Sequence, residues 1–106
     1  MNSKRRALRF PCGNQPVRYK TAYEDGEAVL LNISSAGCAF NQPSLQLSMQ
    51  EKILVSIPLP EEDSAIQAQG VVVRTENGFT AIRFTLLEPE DQERVVKYYS
   101  KMMRKK

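Results

Sequence analysis

Short segments in which apolar and polar side chains alternate recur along most of the chain, and this pattern constrains the fold more than any other feature. The clearest segment covers residues 53–59, in which every second side chain is apolar: Ile53, Val55, Ile57 and Leu59. A period of two residues is the period of a β-strand with one face toward the core. Residues 17–23 and 66–73 alternate in the same way, which predicts that strands dominate the fold.

Turn sequences separate these segments. An acidic, glycine-containing turn at 24–27 and the Glu-Asn-Gly sequence at 76–78 both predict hairpins. Residues 34–37 form a tight connection in which Gly37 is expected at positive φ. Pro58 indicates that its strand ends at a sheet edge. The predicted strands are 17–23, 28–33, 38–40, 53–59, 66–73 and 79–84. Six short strands at regular intervals favour a small antiparallel barrel, which also hides its sheet edges.

The period changes near the C-terminus, where a helix is predicted at about 88–105. Pro89 can open a helix, and Glu90 and Asp91 place acid in its first turn. Apolar side chains then recur every three to four residues: Val95, Tyr98, Tyr99, Met102 and Met103. We expect this stripe to pack against the barrel; the alternative is a partner-binding surface. The predicted fold is thus all-β dominated, a six-stranded antiparallel β-barrel with a C-terminal α-helix.

Composition limits the classes of function. The chain of 106 residues has the length of one domain, and it contains no histidine. Cys12 and Cys38 lack metal-site spacing, and we expect both thiols to be buried and reduced. Without histidine, a plausible reactive cysteine or a recognisable carboxylate pair, we expect no catalytic residue, no metal site and no enzyme activity. No apolar run approaches the ~18–20 residues that span a bilayer, and the basic N-terminus lacks a signal-peptide core, so a cytoplasmic protein is expected.

The net charge of +3 is concentrated at the two ends of the chain. Lysines and arginines crowd residues 1–9, predicted as a flexible basic arm, and residues 101–106, at the end of a single domain covering 10–106. Basic ends indicate anionic partners, and the alternative is that they are solvated tails, which have the same composition. A sequence-independent nucleic-acid-binding barrel is a less favoured alternative, because no strand interleaves basic and aromatic residues, and we expect no DNA or RNA partner.

Two short motifs occur in a specific order. Arg5 and Arg9 form an RxxxR spacing, and NISSAG at 32–37 forms an NxSxxG spacing at the end of the second predicted strand. With the Arg9-Phe10 step, the hairpin between the motifs and the helix after the barrel, the chain resembles the PilZ domain family over residues 4–99. That resemblance implies a bacterial receptor for the second messenger cyclic di-GMP, with the ligand between the arginine segment and the NxSxxG surface.

The resemblance also implies roles for individual residues. Arg5 and Arg9 would bind phosphate oxygens or guanine O6 and N7, for which a planar guanidinium offers a fork of donors. Asn32 stands where the family has Asp or Asn, and its oxygen would accept from guanine N–H groups. Ser34 would donate or accept a hydrogen bond, and Gly37 would bend the backbone and let a flat base approach.

Three further residues are candidate ligand contacts. Lys4 occupies a position where, in the family, a basic residue accompanies binding of an intercalated ligand dimer. Arg6 is a candidate phosphate contact, and the alternative is that it is only solvated. Arg74 lies where many relatives carry a large side chain that can stack on a base; an exposed strand arginine is the alternative. The expected function is a non-enzymatic receptor that acts on a downstream protein partner, and the alternative is a ligand-independent scaffold for protein contacts.

Overall fold

The computed structural model describes residues 9–60 and 62–104 of the chain. Six strands and one helix follow one another: β1 Phe10–Lys20, β2 Asp25–Ile33, β3 Gly37–Asn41, β4 Lys52–Ile57, β5 Ile66–Glu76, β6 Phe79–Leu86 and α1 Pro89–Arg104. The strands close into a barrel in the order β1-β2-β3-β6-β5-β4, and every neighbouring pair is antiparallel. The predicted barrel and terminal helix are therefore confirmed. The edge position predicted from Pro58 is wrong, because this residue follows β4 in a closed barrel.

The first hairpin turns earlier than the sequence suggested. The hydroxyl of Thr21 accepts hydrogen bonds from the backbone N–H groups of Tyr23 and Glu24, at 3.1 and 3.0 Å. A side-chain acceptor of this kind stabilises a turn against continued strand. Tyr23, the last residue of the predicted strand 17–23, consequently lies in the turn and is 92% exposed.

A bulge interrupts β1 between Pro11 and Gln15, where the register with β2 shifts. Gly13 and Asn14, inside the bulge, have φ values of 59° and 65°, which glycine and asparagine tolerate best. Pro11 has no N–H to give to a neighbouring strand. The bulge places Gln15 beside α1, where its side-chain oxygen accepts a hydrogen bond from the hydroxyl of Tyr99 at 2.7 Å.

The core lies inside the barrel and under the helix. Its largest fully buried side chains come from several strands and the helix: Tyr19, Phe40, Leu30, Ile33, Ile57, Ile66, Val55, Val72 and Val95. The rings of Tyr19 and Phe40 stack with centroids 5.4 Å apart. The hydroxyl of Tyr19 donates to the carbonyl of Leu45 at 2.9 Å, which satisfies its buried polar end. Each such apolar side chain contributes about 1.5–3 kcal/mol on burial.

Helix α1 packs through only part of its apolar stripe. Val95 and Tyr99 are buried and Tyr98 is half-buried, as expected for a packing face, whereas Met102 and Met103 are each 50% exposed. The predicted packing role is therefore wrong for the two methionines, because the whole last helical turn is exposed. Among the described residues, no helix has the length and apolar character needed to cross a membrane.

Candidate ligand-binding groove

The turn between β2 and β3 is closed by its own polar groups. The backbone N–H of Ser34 donates to the carbonyl of Gly37 at 2.8 Å. The Ser34 hydroxyl accepts from the N–H of Ala36 at 3.0 Å and lies 3.4 Å from the Gly37 carbonyl, to which it donates. Ser34 is only 1% exposed. Its hydroxyl therefore shapes the turn in this structure.

Gly37 is needed for a different reason from the one the sequence suggested. Among the described glycines, positive φ occurs at Gly13 and Gly78, so the expectation of positive φ at Gly37 is wrong. Gly37 lies in β3 directly opposite Arg83 of β6. A Cβ atom at this position would collide with the carbonyl oxygen of Ile82 and lie 3.3 Å from the Arg83 Cα. The absent side chain lets the β6 backbone approach closely.

The start of β1 brings the two sequence motifs together. Phe10 pairs with Ile33 and Pro11 pairs with Asn32, so Arg9 lies beside the end of β2. The Nη1 group of Arg9 donates a hydrogen bond to the Asn32 side-chain oxygen. An arginine of the first motif thus contacts the first residue of the second motif.

Arg9, Asn32 and Gly37 line one groove on the outer surface of β3, β6 and β5. The groove has a volume of about 420 Å³, within the range of small-molecule sites. Part of the groove can accommodate a flat ring, because four of its lining residues are small: Ala36, Gly37, Ala39 and Ala81. Three arginines also line it: Arg9, Arg74 and Arg83. No acidic residue is among its described lining residues.

Arg74 reaches the groove but already has neighbours. Its guanidinium makes an ion pair of 2.9 Å with Glu76 and lies 5.5 Å from the centroid of the Phe79 ring. Both members of the ion pair are exposed, so water and salt weaken it. Arg74 is exposed on β5 and borders the groove, and its contact with a ligand stays a prediction.

The remaining predicted contacts, Lys4, Arg5 and Arg6, lie outside the described residues, as does nearly all of the predicted arm at 1–9. Eight of the twelve described lining residues were not predicted as site residues, and Arg83 and Phe79 are the two of these with large side chains that can contact a ligand through charge or an aromatic ring. Alternation in β6 puts Arg83 on the outer face, opposite the inward Ile82. The sequence does not show that β6 pairs with β3, and this pairing brings Arg83 to the groove.

Besides a groove of about 450 Å³ that contains both Arg18 and Glu27, two larger grooves fit an anionic ligand less well. One, of about 650 Å³, is lined by Lys20 and Lys52 among mostly apolar or uncharged neighbours from β4 and β5. The other, of about 660 Å³, lies between α1 and Ser35, where Glu93 opposes the charge of Lys97. Lysines lack the fork of donors that a guanidinium presents to phosphate, and neighbouring acid repels an anion. Residue chemistry therefore favours the groove with three arginines.

The two cysteines near the groove are free, and Cys38 is fully buried. Burial raises the pKa of each thiol to about 12, and for Cys38 the nearby Arg9 offsets this only slightly. A thiol with such a pKa stays protonated at neutral pH and is a poor nucleophile. Within the described ranges, no cluster of three or more His, Cys, Asp or Glu side chains is placed to hold a metal ion. The groove is thus equipped to bind an anion through guanidinium groups.

Comparison with solved structures shows the same fold. The inhibitor of motility MotI/DgrA of Bacillus subtilis superposes with a TM-score of 0.81 at 22% identity, covering 99% of this chain and 54% of that one. The PilZ domain of CeSA from a cellulose-synthesizing bacterium gives a TM-score of 0.70 at 18% identity, covering 92% and 99%. K. pneumonia MrkH, solved in complex with c-di-GMP, gives 0.67 at 19% identity, covering 98% and 53%.

This chain thus spans about half the length of MotI/DgrA and of MrkH. No curated protein sequence matches it. The family model described as "PilZ domain" matches residues 3–101, which is nearly the whole chain. The sequence motifs, the closed barrel with its terminal helix and this match agree, and the chain belongs to the PilZ domain family.

Proposed function

We propose that this chain is a receptor module for cyclic di-GMP and that the groove lined by Arg9, Arg74 and Arg83 holds the ligand. The observation that carries the proposal is the hydrogen bond from Arg9 to Asn32, because it joins the two motifs at one end of an acid-free groove. Membership of the PilZ family and the solved complex of MrkH with c-di-GMP support the choice of ligand.

The groove offers complementary chemistry to both parts of this ligand. A phosphodiester accepts paired hydrogen bonds from a guanidinium such as that of Arg9. A guanine ring can lie flat over Gly37, which has no side chain, and over Ala39, whose side chain is a single methyl group. The Asn32 oxygen, bonded to Arg9 in this structure, can accept from guanine N–H groups when Arg9 turns toward phosphate. Ser34 supports this geometry by holding the turn, and direct contact of its hydroxyl with ligand stays a prediction.

The arm at 1–9 completes the proposed site. Arg5 would add the other arginine of the RxxxR motif to the three that line the groove, with Lys4 and Arg6 as further cations. Ordering a segment lowers its conformational entropy, so binding is weaker than the contacts alone would provide. Ligand binding would also change the position of this charged segment. A partner protein can detect that change.

The exposed end of α1 is the surface that we propose for a downstream protein in the cytoplasm. Met102 and Met103 present flexible apolar side chains to solvent, and methionine-rich surfaces adapt to protein partners. The same surface also favours the second candidate function, a scaffold that binds protein without ligand. The two functions differ in whether cyclic di-GMP binds at all.

Calorimetric titration of the full chain with cyclic di-GMP tests the proposal, with cyclic di-AMP and GTP as control ligands. We expect saturable binding of cyclic di-GMP and loss of at least about tenfold in affinity in Arg9→Ala and in Arg5→Ala, since each removes a charge-assisted contact. Arg18→Ala is the matched control, because Arg18 is an exposed arginine on β1 outside the groove. Binding equal to wild type in both Arg5→Ala and Arg9→Ala would contradict the assignment.

A further inference from the structure

Arg83 differs from the two cations of β1, Arg18 and Lys20, in its cross-strand neighbours. Arg18 lies opposite Glu27 and Lys20 opposite Asp25 in the β1–β2 register, so each has an acidic cross-strand neighbour. Arg83 lies between Gly37 of β3 and Val71 of β5, neither of which is charged.

Within residues 9–60 and 62–104, the guanidinium of Arg83 has no hydrogen-bond or ion-pair partner. In the part of the chain that the structure describes, its side chain makes no ion pair, while Arg74 pairs with Glu76 and Arg94 with Glu62 and Asp91. Arg83 is exposed and borders the groove. Gly37, directly across from it, has no side chain to cover the space between them. A cation in this position is available to an anion that enters the groove.

The position of Arg83 complements that of Arg9. Arg9 contacts Asn32 of β2, and Arg83 belongs to β6, so one strand, β3, separates Asn32 from Arg83. Neighbouring strands lie about 4.8 Å apart, which puts the two sides of the groove roughly 10 Å from each other. Arg83 is moreover held by a paired strand on both sides. A contact from a preorganised element loses less entropy on binding than one from a free segment.

We propose that Arg83 is a further ligand-binding residue of this groove, and that its guanidinium binds one phosphodiester of the cyclic dinucleotide from the β6 side while Arg9 engages the opposite side. Arg83 belongs to neither sequence motif. The inference rests on the proposed function, since it assigns a contact to the same ligand. In this arrangement one phosphate is bound by Arg9, next to the arm, and the other is bound by Arg83, which is fixed in the sheet.

The experiment compares Arg83→Ala, Arg83→Lys and the control Arg18→Ala with the wild-type chain. Calorimetry with cyclic di-GMP is expected to show at least about tenfold weaker binding for Arg83→Ala, because a charge-assisted hydrogen bond is lost. Arg83→Lys should recover part of the affinity, since it restores the charge without the fork. The difference between Arg83→Ala and wild type should narrow from about 50 mM to about 500 mM NaCl, as screening weakens the ionic contact.

Phosphorus NMR of the bound ligand separates a direct contact from an indirect structural effect. We expect Arg83→Ala to alter the resonance of one ligand phosphate more than that of the other, while the urea midpoint of the variant stays at the wild-type value. If the wild-type chain binds cyclic di-GMP and Arg83→Ala binds it with the same affinity, the role of Arg83 is overturned and the proposed function is not. A wild-type chain that binds no cyclic di-GMP would overturn the proposed function and this inference together.

Discussion

The ring of Phe10 stacks on the ring of Tyr99, with centroids 6.2 Å apart and planes inclined by 23°. Phe10 is the first residue of β1 and directly follows Arg9, whereas Tyr99 is buried on α1. The hydroxyl of Tyr99 donates to Gln15 at the end of the β1 bulge. Both ends of this bulge segment therefore contact the same helical side chain, which links the proposed ligand arginine to the terminal helix.

Replacing Tyr99 separates the two contacts. Tyr99→Phe keeps the ring stack and removes the hydrogen bond to Gln15, so the free energy of unfolding should fall by about 1 kcal/mol. Tyr99→Ala also removes the buried ring and should lower it by about 4 kcal/mol. Urea denaturation followed by circular dichroism measures both values. Equal losses in the two variants would show that the ring stack contributes nothing to stability.

Replacing Asn32 tests which part of the ligand lies beside this residue. We expect Asn32→Asp to raise the affinity for cyclic di-GMP about three- to tenfold, because a carboxylate accepts hydrogen bonds from guanine N–H groups more strongly than an amide does. Asn32→Ala, which removes the acceptor, should lower the affinity about tenfold. Calorimetry distinguishes these outcomes. Weaker binding by Asn32→Asp than by wild type would indicate that a phosphate, which a carboxylate repels, lies at this position.

Gly37 and Gly13 provide a matched pair of glycine replacements. A Cβ at Gly37 meets backbone atoms of Ile82 and Arg83, which cannot move without disturbing β6. Gly37→Ala should therefore lower the free energy of unfolding by about 3 kcal/mol. At Gly13 the space is open and only the φ of 59° is unfavourable, so Gly13→Ala should lower it by about 1 kcal/mol. A smaller loss for Gly37→Ala in urea denaturation would contradict the close approach of β3 and β6.

The strands that the sequence predicted best are those whose own side chains carry the signal. Residues 53–59 and 66–73 alternate because one face of β4 and of β5 is buried. The first part of β1 was missed because Pro11, Gly13 and Pro16 interrupt alternation, and pairing with β2 together with contacts to Tyr99 holds it in place. Likewise, the helical period of the apolar residues predicts which face of α1 contains Met102. It does not predict how far along α1 the contact with the barrel extends.

The candidate site was predictable only in part for a similar reason. Arg9 and Asn32 belong to motifs, and resemblance to a family was enough to select them. Arg83 carries no local signal beyond its outward position in an alternating strand. Its relevance arises from the pairing of β3 with β6, which are separated in sequence by two strands. Barrel closure, and not local sequence pattern, brings it to the groove.

The buried thiol of Cys38 should make stability depend on alkaline pH. Its pKa is about 12 in the folded chain against 9.0 for an ordinary thiol, because burial disfavours the thiolate. Below pH 9 the thiol is protonated in both states and has no effect; from pH 9 to about 12 only the unfolded chain ionises, so stability falls as pH rises. Between pH 7 and pH 10 the loss should be about 1.4 kcal/mol for this group. Urea denaturation across this range should show a correspondingly shallower decline in Cys38→Ala, in which the other ionisable groups are unchanged. Parallel declines in the two proteins would mean that the folded barrel tolerates the thiolate.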